Sequence, residues 1–140
     1  NLRGKLMKEE KFTVAAGVLV LCTETNKILL LLRSSEGTGG NTWNLLSGGI
    51  NEGENVLEGL KREVSEEISI NPDIIDYEFI HQEDGLNNTL KFHYYEGFVN
   101  EEFIATLDEE NTDYGWFSKD DLPSPLFPNI IKKIEGIYRQ

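Results

Sequence analysis

Positive charge and cysteine are both scarce in this sequence of 140 residues. Lys and Arg number 13 against 25 Asp and Glu, which gives a formal net charge of −12 at pH 7. Nucleic-acid polymers and anionic membranes are bound through basic surfaces, so this balance disfavours both as partners. Cys22 is the only cysteine, so no intramolecular disulfide can form, and we expect a cytoplasmic protein. Its place in an aliphatic run predicts a buried structural thiol.

Long apolar runs and metal-binding histidine patterns are also missing. No stretch approaches the roughly 20 apolar residues of a membrane-spanning helix, and no signal peptide is evident. His81 and His93 lie on predicted strands, and no set of Cys and His has zinc spacing. A small anionic substrate is compatible with the negative charge if metal ions neutralise the site locally. The length predicts a single domain over residues 1–140, with a loose polar segment at 1–10.

Hydrophobic periodicity predicts strands and helices in an order that suits a layered α/β protein. The aliphatic residues of 13–21 are too continuous for a strand with one wet face, so this strand should be central. A second buried strand is predicted over 27–33, and a glycine-rich loop over 36–41. Further along, the pattern indicates a hairpin of strands 74–82 and 89–99, a short helical turn over 119–123, and a closing helix over 129–139 with Ile130, Ile131, Ile134 and Ile137 inward. This order of elements is compatible with a three-layer α/β/α sandwich.

Residues 48–70 combine a glycine turn with an amphipathic helix that carries clustered acids. Glu63, Glu66 and Glu67 stand at positions i, i+3 and i+4, so their side chains share one helical face. A separate apolar stripe is formed by Leu57, Leu60, Val64 and Ile68. Like charges this close repel one another, and a divalent cation such as Mg²⁺ or Mn²⁺ relieves the repulsion. The cluster therefore indicates a metal site, and the competing interpretation is an ordinary solvated helix face.

The spacing of the charged residues around this cluster supports the metal site. Gly48 is followed after five residues by Glu54, and after seven more by Arg62 and Glu63. This run resembles the Nudix box, G-x5-E-x7-R-E-U-x-E-E-x-G-U with U aliphatic, and a match of this length is specific. Every charged position is present, while Ser69 stands at the last glycine. Just before and inside the box, Leu46, Ser47 and Asn51 replace a proline, a glycine and a glutamate that are usual in the family.

The resemblance implies a Nudix fold, in which a curved mixed β-sheet lies between helices and the box forms a loop–helix–loop motif. It also implies a cofactor, Mg²⁺, for which Mn²⁺ can substitute. The implied metal ligands are Glu63, Glu66, Glu67 and the backbone carbonyl of Ser47. A serine there is strained if the turn requires a positive φ. Glu66 is a further ligand or the general base. Arg62, Glu54 and Gly48 do not bind the metal themselves but hold the ligating groups in position.

Two residues outside the box are assigned to the site by the same resemblance. Glu110 lies six residues before Trp116, like a family glutamate that completes the metal shell or positions the attacking water. Trp116 should open the last strand, and Glu109 is a neighbour that could be mistaken for Glu110. Arg33, at the end of a predicted strand, matches an arginine that contacts substrate phosphates in related enzymes. An equally good interpretation is a strand-end arginine that only reaches solvent. The residues assigned to catalysis are thus Glu63, Glu66, Glu67, Arg62 and Glu110.

The implied reaction is hydrolysis of the pyrophosphate linkage in a nucleoside diphosphate joined to another group, with metal ions that screen the phosphates and activate water. The favoured substrate is a nucleoside triphosphate, including oxidised forms, and ADP-ribose or another nucleotide sugar is the alternative. A metal-dependent phosphatase or nuclease stays open, although the missing basic track disfavours a nuclease. A non-catalytic nucleotide-binding domain also stays open. The expected partner is a small nucleotide, and the protein is expected to be a monomer or homodimer.

Overall fold

The structure is a computed structural model that describes residues 12–36 and 39–139. The segment 1–10, expected to be loose, and positions 37–38 of the glycine-rich loop lie outside the described residues. The described residues form β1 (Thr13–Cys22), β2 (Lys27–Arg33), β3 (Trp43–Asn44), β4 (Leu46–Gly49), α1 (Val56–Ile68), β5 (Asp76–Gly85), β6 (Leu90–Val99), β7 (Asn111–Phe117) and α2 (Ile130–Ile137). A 3₁₀ turn, Pro72–Ile74, lies between α1 and β5.

The strands form one mixed sheet with β1 in a central position. On one side β1 pairs in parallel with β6 over its whole length. On the other side it pairs antiparallel with β4 in its first half and with β2 at its end. Strand β5 extends the sheet beyond β6, whereas β3 and β7 both pair with β2. The prediction that the first strand is central is confirmed, and its pairing with β4 brings the start of the Nudix-like run into the middle of the sheet.

A hydrophobic core lies on each face of this sheet. Helix α1 covers one face through Leu60, Val64 and Ile68, and α2 covers the other through Ile130, Ile134 and Ile137. Both faces of β1 and β2 are therefore buried, which explains their continuous aliphatic sequences. Cys22 is fully buried in the first core, as predicted. The predicted α/β/α sandwich with a mixed sheet is confirmed.

Three local predictions are wrong. Residues 119–123 form a turn and no helix, because the Ser118 side chain accepts the Asp120 N–H (3.3 Å) and so competes with helical bonding. Ile131 is 44 % exposed, since one step along a helix turns the side chain by about 100° away from the buried Ile130. Trp116 lies near the end of β7, because that strand already begins at Asn111. Within the described ranges, no helix is both long and apolar enough to cross a membrane.

Candidate functional site

Helix α1, which carries the clustered acids, is capped at both ends. At its start, the Asn55 side chain accepts the Glu58 N–H (3.2 Å) and satisfies one unpaired donor of the first turn. At its end, Ser69 adopts a left-handed conformation, with φ 55° and ψ 44°, and donates its N–H to the Ser65 carbonyl (3.1 Å). The acids between these caps are therefore held on a helix with defined ends.

The three acids differ in exposure because they lie at different angles from the apolar stripe. Glu67 is only 2 % exposed, since it follows Val64 by three residues and Leu60 by seven and so shares their face. Glu63 is half-buried, and Glu66 is exposed. The helix thus keeps one carboxylate out of water and leaves another open to solvent.

Arg62 connects the acids of this stretch through its guanidinium group. Its Nε and Nη2 donate to both oxygens of Glu54 (2.9 and 3.0 Å), and this contact, with the Asn51 N–H, holds the pKa of Glu54 at about 2. Nη1 donates to Glu63 Oε1 (2.9 Å) and to Glu66 Oε2 (3.2 Å), and Nη2 also donates to a backbone carbonyl at position 49 (3.0 Å). These contacts occupy the five N–H donors of the side chain. The geometry therefore favours a positioning role for Arg62 over direct contact with a substrate.

Glu67 is buried beside other acids with little to compensate its charge. Its Oε1 accepts a hydrogen bond from Asn111 Nδ2 (3.3 Å), while Oε2 has no partner among the described residues. Burial, followed by the charges of Glu110, Asp108 and Glu63, raises the pKa of Glu67 to about 8 against the lowering effect of Asn111. Burial is also the main cause of a raised pKa at Glu63. The sequence analysis did not identify Asn111, because polar residues surround it at the start of β7, NTDYGWF, and no local pattern distinguishes it from them.

Strand β4 links these acids to a pocket on the other face of the sheet. Successive residues of a strand point to opposite faces, so Ser47 and Gly48 face different layers. On one face, a Cβ at Gly48 would overlap the Glu63 carboxylate. On the other, Ser47 lines a pocket of about 480 Å³. Ser47 is not among the residues with a positive φ, so serine adopts this backbone conformation without strain.

The pocket lies on the α2 side of the sheet and combines aromatic, amide, acidic and basic side chains, among them Lys133. Its volume falls within the range of roughly 300–1,000 Å³ that is common for small-molecule sites. Arg33, which is predicted to bind phosphates, lines this pocket together with Ser47. Ser47 belongs to β4, the strand that also contacts the acids of α1. Its lining also includes Asn44, Glu83, Asp84, Phe92, Phe127 and Asn129.

A β-bulge brings the start of β7 to the same place. The register of β2 and β7 shifts between Leu32 and Arg33, so that Arg33 lies opposite Asn111. The neighbouring Ser34 N–H donates to the Glu110 carbonyl (2.9 Å). Glu110 is exposed, and its charge contributes to the raised pKa values of both Glu63 and Glu67. The fold therefore brings Glu110 near the helix acids.

Comparison with known proteins decides the family. The family model described as NUDIX domain matches residues 11–137. The chain belongs to the NUDIX domain family. Nudix hydrolase 7 of Arabidopsis thaliana is 41 % identical over 64 residues, which make up 45 % of this chain and 23 % of the relative. The match thus spans about a quarter of that relative's length, and the predicted Nudix resemblance is confirmed.

Solved structures share the Nudix fold at low sequence identity. A MutT protein from Methanosarcina mazei has a TM-score of 0.68 at 23 % identity, over 94 % of this chain and 99 % of that one. A MutT NUDIX hydrolase from Burkholderia pseudomallei has a TM-score of 0.71 at 22 % identity, over 90 % and 98 %. A C. elegans Ap4A hydrolase has a TM-score of 0.71 at 17 % identity, over 91 % and 96 %. At these identities the likeness shows the fold, which is the fold predicted from the box.

The positions at which this chain departs from the Nudix pattern differ in their consequences. Asn51 donates its backbone N–H to Glu54 Oε1 (3.0 Å), and that bond does not depend on the side chain at 51. Ser69, in contrast, takes the left-handed conformation that favours glycine at the end of a helix. This conformation explains the glycine of the Nudix box and indicates local strain at Ser69.

Nudix hydrolases generally use divalent metals, and the donors of this site fit such an ion. A buried carboxylate oxygen without a protein partner, Glu67 Oε2, is a group that a hard cation satisfies. Among the described residues, no three Asp, Glu, His or Cys side chains are already gathered into a ligand cage. Glu63 and Glu66 instead accept hydrogen bonds from Arg62, so a cation would compete with Arg62 for their oxygens.

Proposed function

We propose that this Nudix protein hydrolyses the pyrophosphate linkage of a nucleoside diphosphate joined to another group, with nucleoside triphosphates, including oxidised ones, as the favoured substrates. The observation that carries the proposal is the buried Glu67 carboxylate, whose Oε2 lacks a protein partner. It lies one helical turn from Glu63, whose carboxylate contacts the strand that lines a nucleotide-sized pocket. A desolvated acid in this setting gains most from a divalent cation and from the phosphates that such a cation binds.

In this proposal Glu63, Glu66 and Glu67 hold Mg²⁺, together with the backbone carbonyl of Ser47. When bound, the ion screens the phosphate charges and lowers the pKa of a coordinated water. Arg62 and Glu54 restrict the orientations of Glu63 and Glu66, because one guanidinium group is bonded to all three carboxylates.

Two exposed carboxylates are available as the general base. Glu66 lies on α1 and Glu110 on the loop before β7, and a carboxylate oxygen of either one accepts the proton of the attacking water. Arg33 binds the substrate phosphates from the pocket side. Removal of each side chain in turn, with the affinity for Mn²⁺ measured beside kcat, identifies the base, since loss of a base lowers kcat alone whereas loss of a ligand also weakens metal binding.

The pocket supplies the expected place for the base of the nucleotide. Phe92 and Phe127 offer aromatic surface to a base, while Asn44 and Asn129 offer amide groups that both donate and accept hydrogen bonds. Arg33 and Ser47 lie in the same lining, so we expect a base in the pocket to place its phosphates at these two residues, next to the strand that contacts Glu63. This arrangement supports a nucleoside triphosphate as the substrate.

The two acids of the pocket favour a base with N–H donors on its edge. Burial raises the pKa of Glu83, but hydrogen bonds from Lys133 and His81 outweigh it, and the net shift is downward. A hydrogen bond from Lys91 lowers the pKa of Asp84. Both groups are then ionised and only accept hydrogen bonds. Lys133 already donates to both oxygens of Glu83 (3.1 and 3.0 Å), and each oxygen keeps a second lone pair for a base. Guanine has two adjacent N–H donors on its Watson–Crick edge where adenine has one, so we expect guanine nucleotides to have a kcat/KM about tenfold higher.

Release of phosphate and pyrophosphate from a nucleotide panel tests the proposed activity. The panel contains GTP, ATP, 8-oxo-dGTP, ADP-ribose and Ap4A, the last being the compound for which the C. elegans relative is named. We expect hydrolysis of the triphosphates with Mg²⁺, loss of activity in excess EDTA, and recovery with Mg²⁺ or Mn²⁺. Turnover that persists unchanged in excess chelator would remove the metal from the mechanism.

Variants of α1 control for contaminating activity. Glu63→Gln and Glu67→Gln should each lower kcat by at least about a hundredfold, the weight expected of metal ligands. Glu58→Gln, on an exposed part of the same helix, should change kcat by less than about twofold. Hydrolysis of simple phosphomonoesters instead would indicate a phosphatase, and nucleotide binding without turnover would indicate a non-catalytic domain.

We also propose that residues 1–140 act as one domain in the cytoplasm, as a monomer or a homodimer. The single cysteine supports a reducing compartment, and the family model extends over most of the chain. Light scattering coupled to gel filtration distinguishes the monomer from the dimer, and fractionation of cells that express the full protein tests the location.

A further inference from the structure

The Glu67 carboxylate is held by one side chain from a distant part of the sequence. Asn111 is 5 % exposed, and its Nδ2 lies 3.3 Å from Glu67 Oε1. The two residues are 44 positions apart, and the register shift between β2 and β7 sets Asn111 opposite Arg33 beside the box. Because Oε2 of Glu67 has no partner among the described residues, Asn111 provides the hydrogen bond that restricts the orientation of this carboxylate.

The same amide is bonded to the loop that carries Glu110. Asn111 Nδ2 also lies 3.4 Å from Asp108 Oδ1, and the Glu110 N–H donates to that same oxygen (3.1 Å). The Asp108 N–H in turn donates to the Glu67 backbone carbonyl (3.0 Å), and the Thr106 N–H donates to the carbonyl at position 68 (3.0 Å). Residues 106–110 are thereby joined to the end of α1 by backbone bonds, and to the Glu67 side chain through one buried amide.

We propose that Asn111 is a positioning residue of the metal site, which orients the Glu67 carboxylate through Oε1, leaves Oε2 for the cation, and holds the 106–110 loop against α1. The inference rests on the proposed function, since it assigns Glu67 to the metal. An amide suits this role because it donates hydrogen bonds without a positive charge, whereas a lysine or arginine there would compete with the cation for the carboxylate. Its two N–H groups match the two acceptors, one on each element that is joined.

The first test measures Mn²⁺ binding to the substrate-free protein by electron paramagnetic resonance. Asn111→Leu removes both hydrogen bonds at similar volume, and we expect its Kd for Mn²⁺ to rise about 10- to 100-fold. Its kcat should fall while the KM for nucleotide at saturating metal stays within about twofold. Thr112→Val, an exposed neighbour on the same strand, should leave Kd and kcat within about twofold. An Asn111→Leu variant that binds Mn²⁺ as tightly as the wild type would overturn the role at Glu67.

The second test reads the loop without any metal. In EDTA, amide hydrogen exchange at 106–110 should become at least about tenfold faster in Asn111→Leu and stay unchanged in Thr112→Val. If the wild type binds no Mn²⁺, the proposed function and the role of Asn111 at the metal are contradicted, and the exchange rates then decide its contact with the loop independently. Equal exchange rates in both variants would overturn the loop contact. If Asn111→Leu does not fold, Asn111→Ser, which retains one hydroxyl donor, should show smaller changes in the same directions.

Discussion

Gly48 and Glu63 share one small volume between β4 and α1. The space in which a Cβ at position 48 would lie is already occupied by the carboxyl end of Glu63, which also accepts a hydrogen bond from Arg62 (2.9 Å). The glycine that opens the Nudix box therefore has a physical reason in this chain. It permits the backbone of β4 to approach the Glu63 carboxylate, a proposed metal ligand, more closely than any other residue would.

Gly48→Ala should displace the Glu63 carboxylate and reduce kcat by about 10- to 100-fold. The atoms that the new methyl group meets belong to the flexible end of a side chain, so the helix and strand need not move. We therefore expect the free energy of unfolding to change by less than about 1 kcal/mol. Steady-state kinetics and urea denaturation of the same preparation measure both effects.

Gly49→Ala is the matched control for this change. A Cβ at Gly49 meets nothing within 4 Å, and the carbonyl that accepts a hydrogen bond from Arg62 is retained. Its activity should stay within about twofold of the wild type. If kcat falls equally in Gly48→Ala and Gly49→Ala, glycine is required at position 48 by the conformation of the turn and not by the contact with Glu63.

Ser69→Gly should stabilise the protein by about 0.5–1 kcal/mol without changing kcat. Left-handed backbone costs an L-residue roughly 1–2 kcal/mol, and glycine avoids this cost but loses part of the gain through its freer unfolded chain. Ser69 lies at the end of α1, with φ 55° and ψ 44°, and its N–H bond to Ser65 is retained in the variant. Urea denaturation at constant pH measures the difference.

The same exchange within the helix should have the opposite sign. Ser65→Gly replaces an exposed residue in the interior of α1, where glycine costs about 1 kcal/mol relative to alanine and about half of that relative to serine. If both variants were more stable than the wild type, or if neither were, the left-handed conformation of Ser69 would not be the cause of the effect.

Local sequence patterns were sufficient to predict α1 and its acids. The angular positions of Glu63, Glu66 and Glu67 follow from the helical period, and the capping of α1 depends on residues within a few positions. Their unequal burial could have been read from the same period, since Glu67 shares a face with Val64. The continuous aliphatic strands predicted a sheet covered on both faces for a similar reason.

Asn111 and the pocket were beyond the reach of such patterns, because they depend on the pairing of distant strands. A one-residue shift between β2 and β7 decides which residue of β7 lies opposite Arg33, and no local signal marks that bulge. Strand β4 is four residues long and contains two glycines, so periodicity could not identify it. Its pairing with β1 is nevertheless what places Ser47 and Gly48 on opposite faces of the sheet.

Arg33→Ala and Glu110→Gln should have different kinetic effects. Arg33 lines the pocket, and a phosphate contact made equally in the ground and transition states chiefly raises KM when it is lost. Glu110 lies on the side of the helix acids and is proposed to act on the water or the metal, so its loss should lower kcat with little change in KM. Lys27→Ala, at the exposed start of the strand that ends in Arg33, is the control. If kcat and KM of both variants are near the wild-type values, neither Arg33 nor Glu110 belongs to the site, and the residues of the Nudix box are sufficient for activity.

Glu67→Gln should abolish metal binding and yet stabilise the metal-free protein at alkaline pH. Burial raises the pKa of Glu67 from the ordinary value of 4.5 to about 8, so the folded state holds this proton more tightly than the unfolded state. The stability that the proton contributes is complete below about pH 4.5 and is lost as pH rises through about 8. It amounts to about 1.4 kcal/mol for each unit by which the pKa in the folded state is raised. A neutral glutamine does not titrate, so it avoids the cost of a buried charge.

Thermal unfolding of the wild type and Glu67→Gln in EDTA, from pH 5 to 9, measures this difference directly. The Tm difference should grow in favour of Glu67→Gln as pH rises, and Glu66→Gln, at an exposed position, should show no such trend. With Mn²⁺ the order should reverse, because the ion binds the ionised carboxylate and stabilises only the wild type by mass action. The apparent affinity of the wild type for Mn²⁺ should then rise about tenfold per pH unit up to about pH 8 and level off above it. A Glu67→Gln variant that is less stable than the wild type at pH 9 in EDTA would show that the buried carboxylate is compensated by the protein itself and does not depend on a cation.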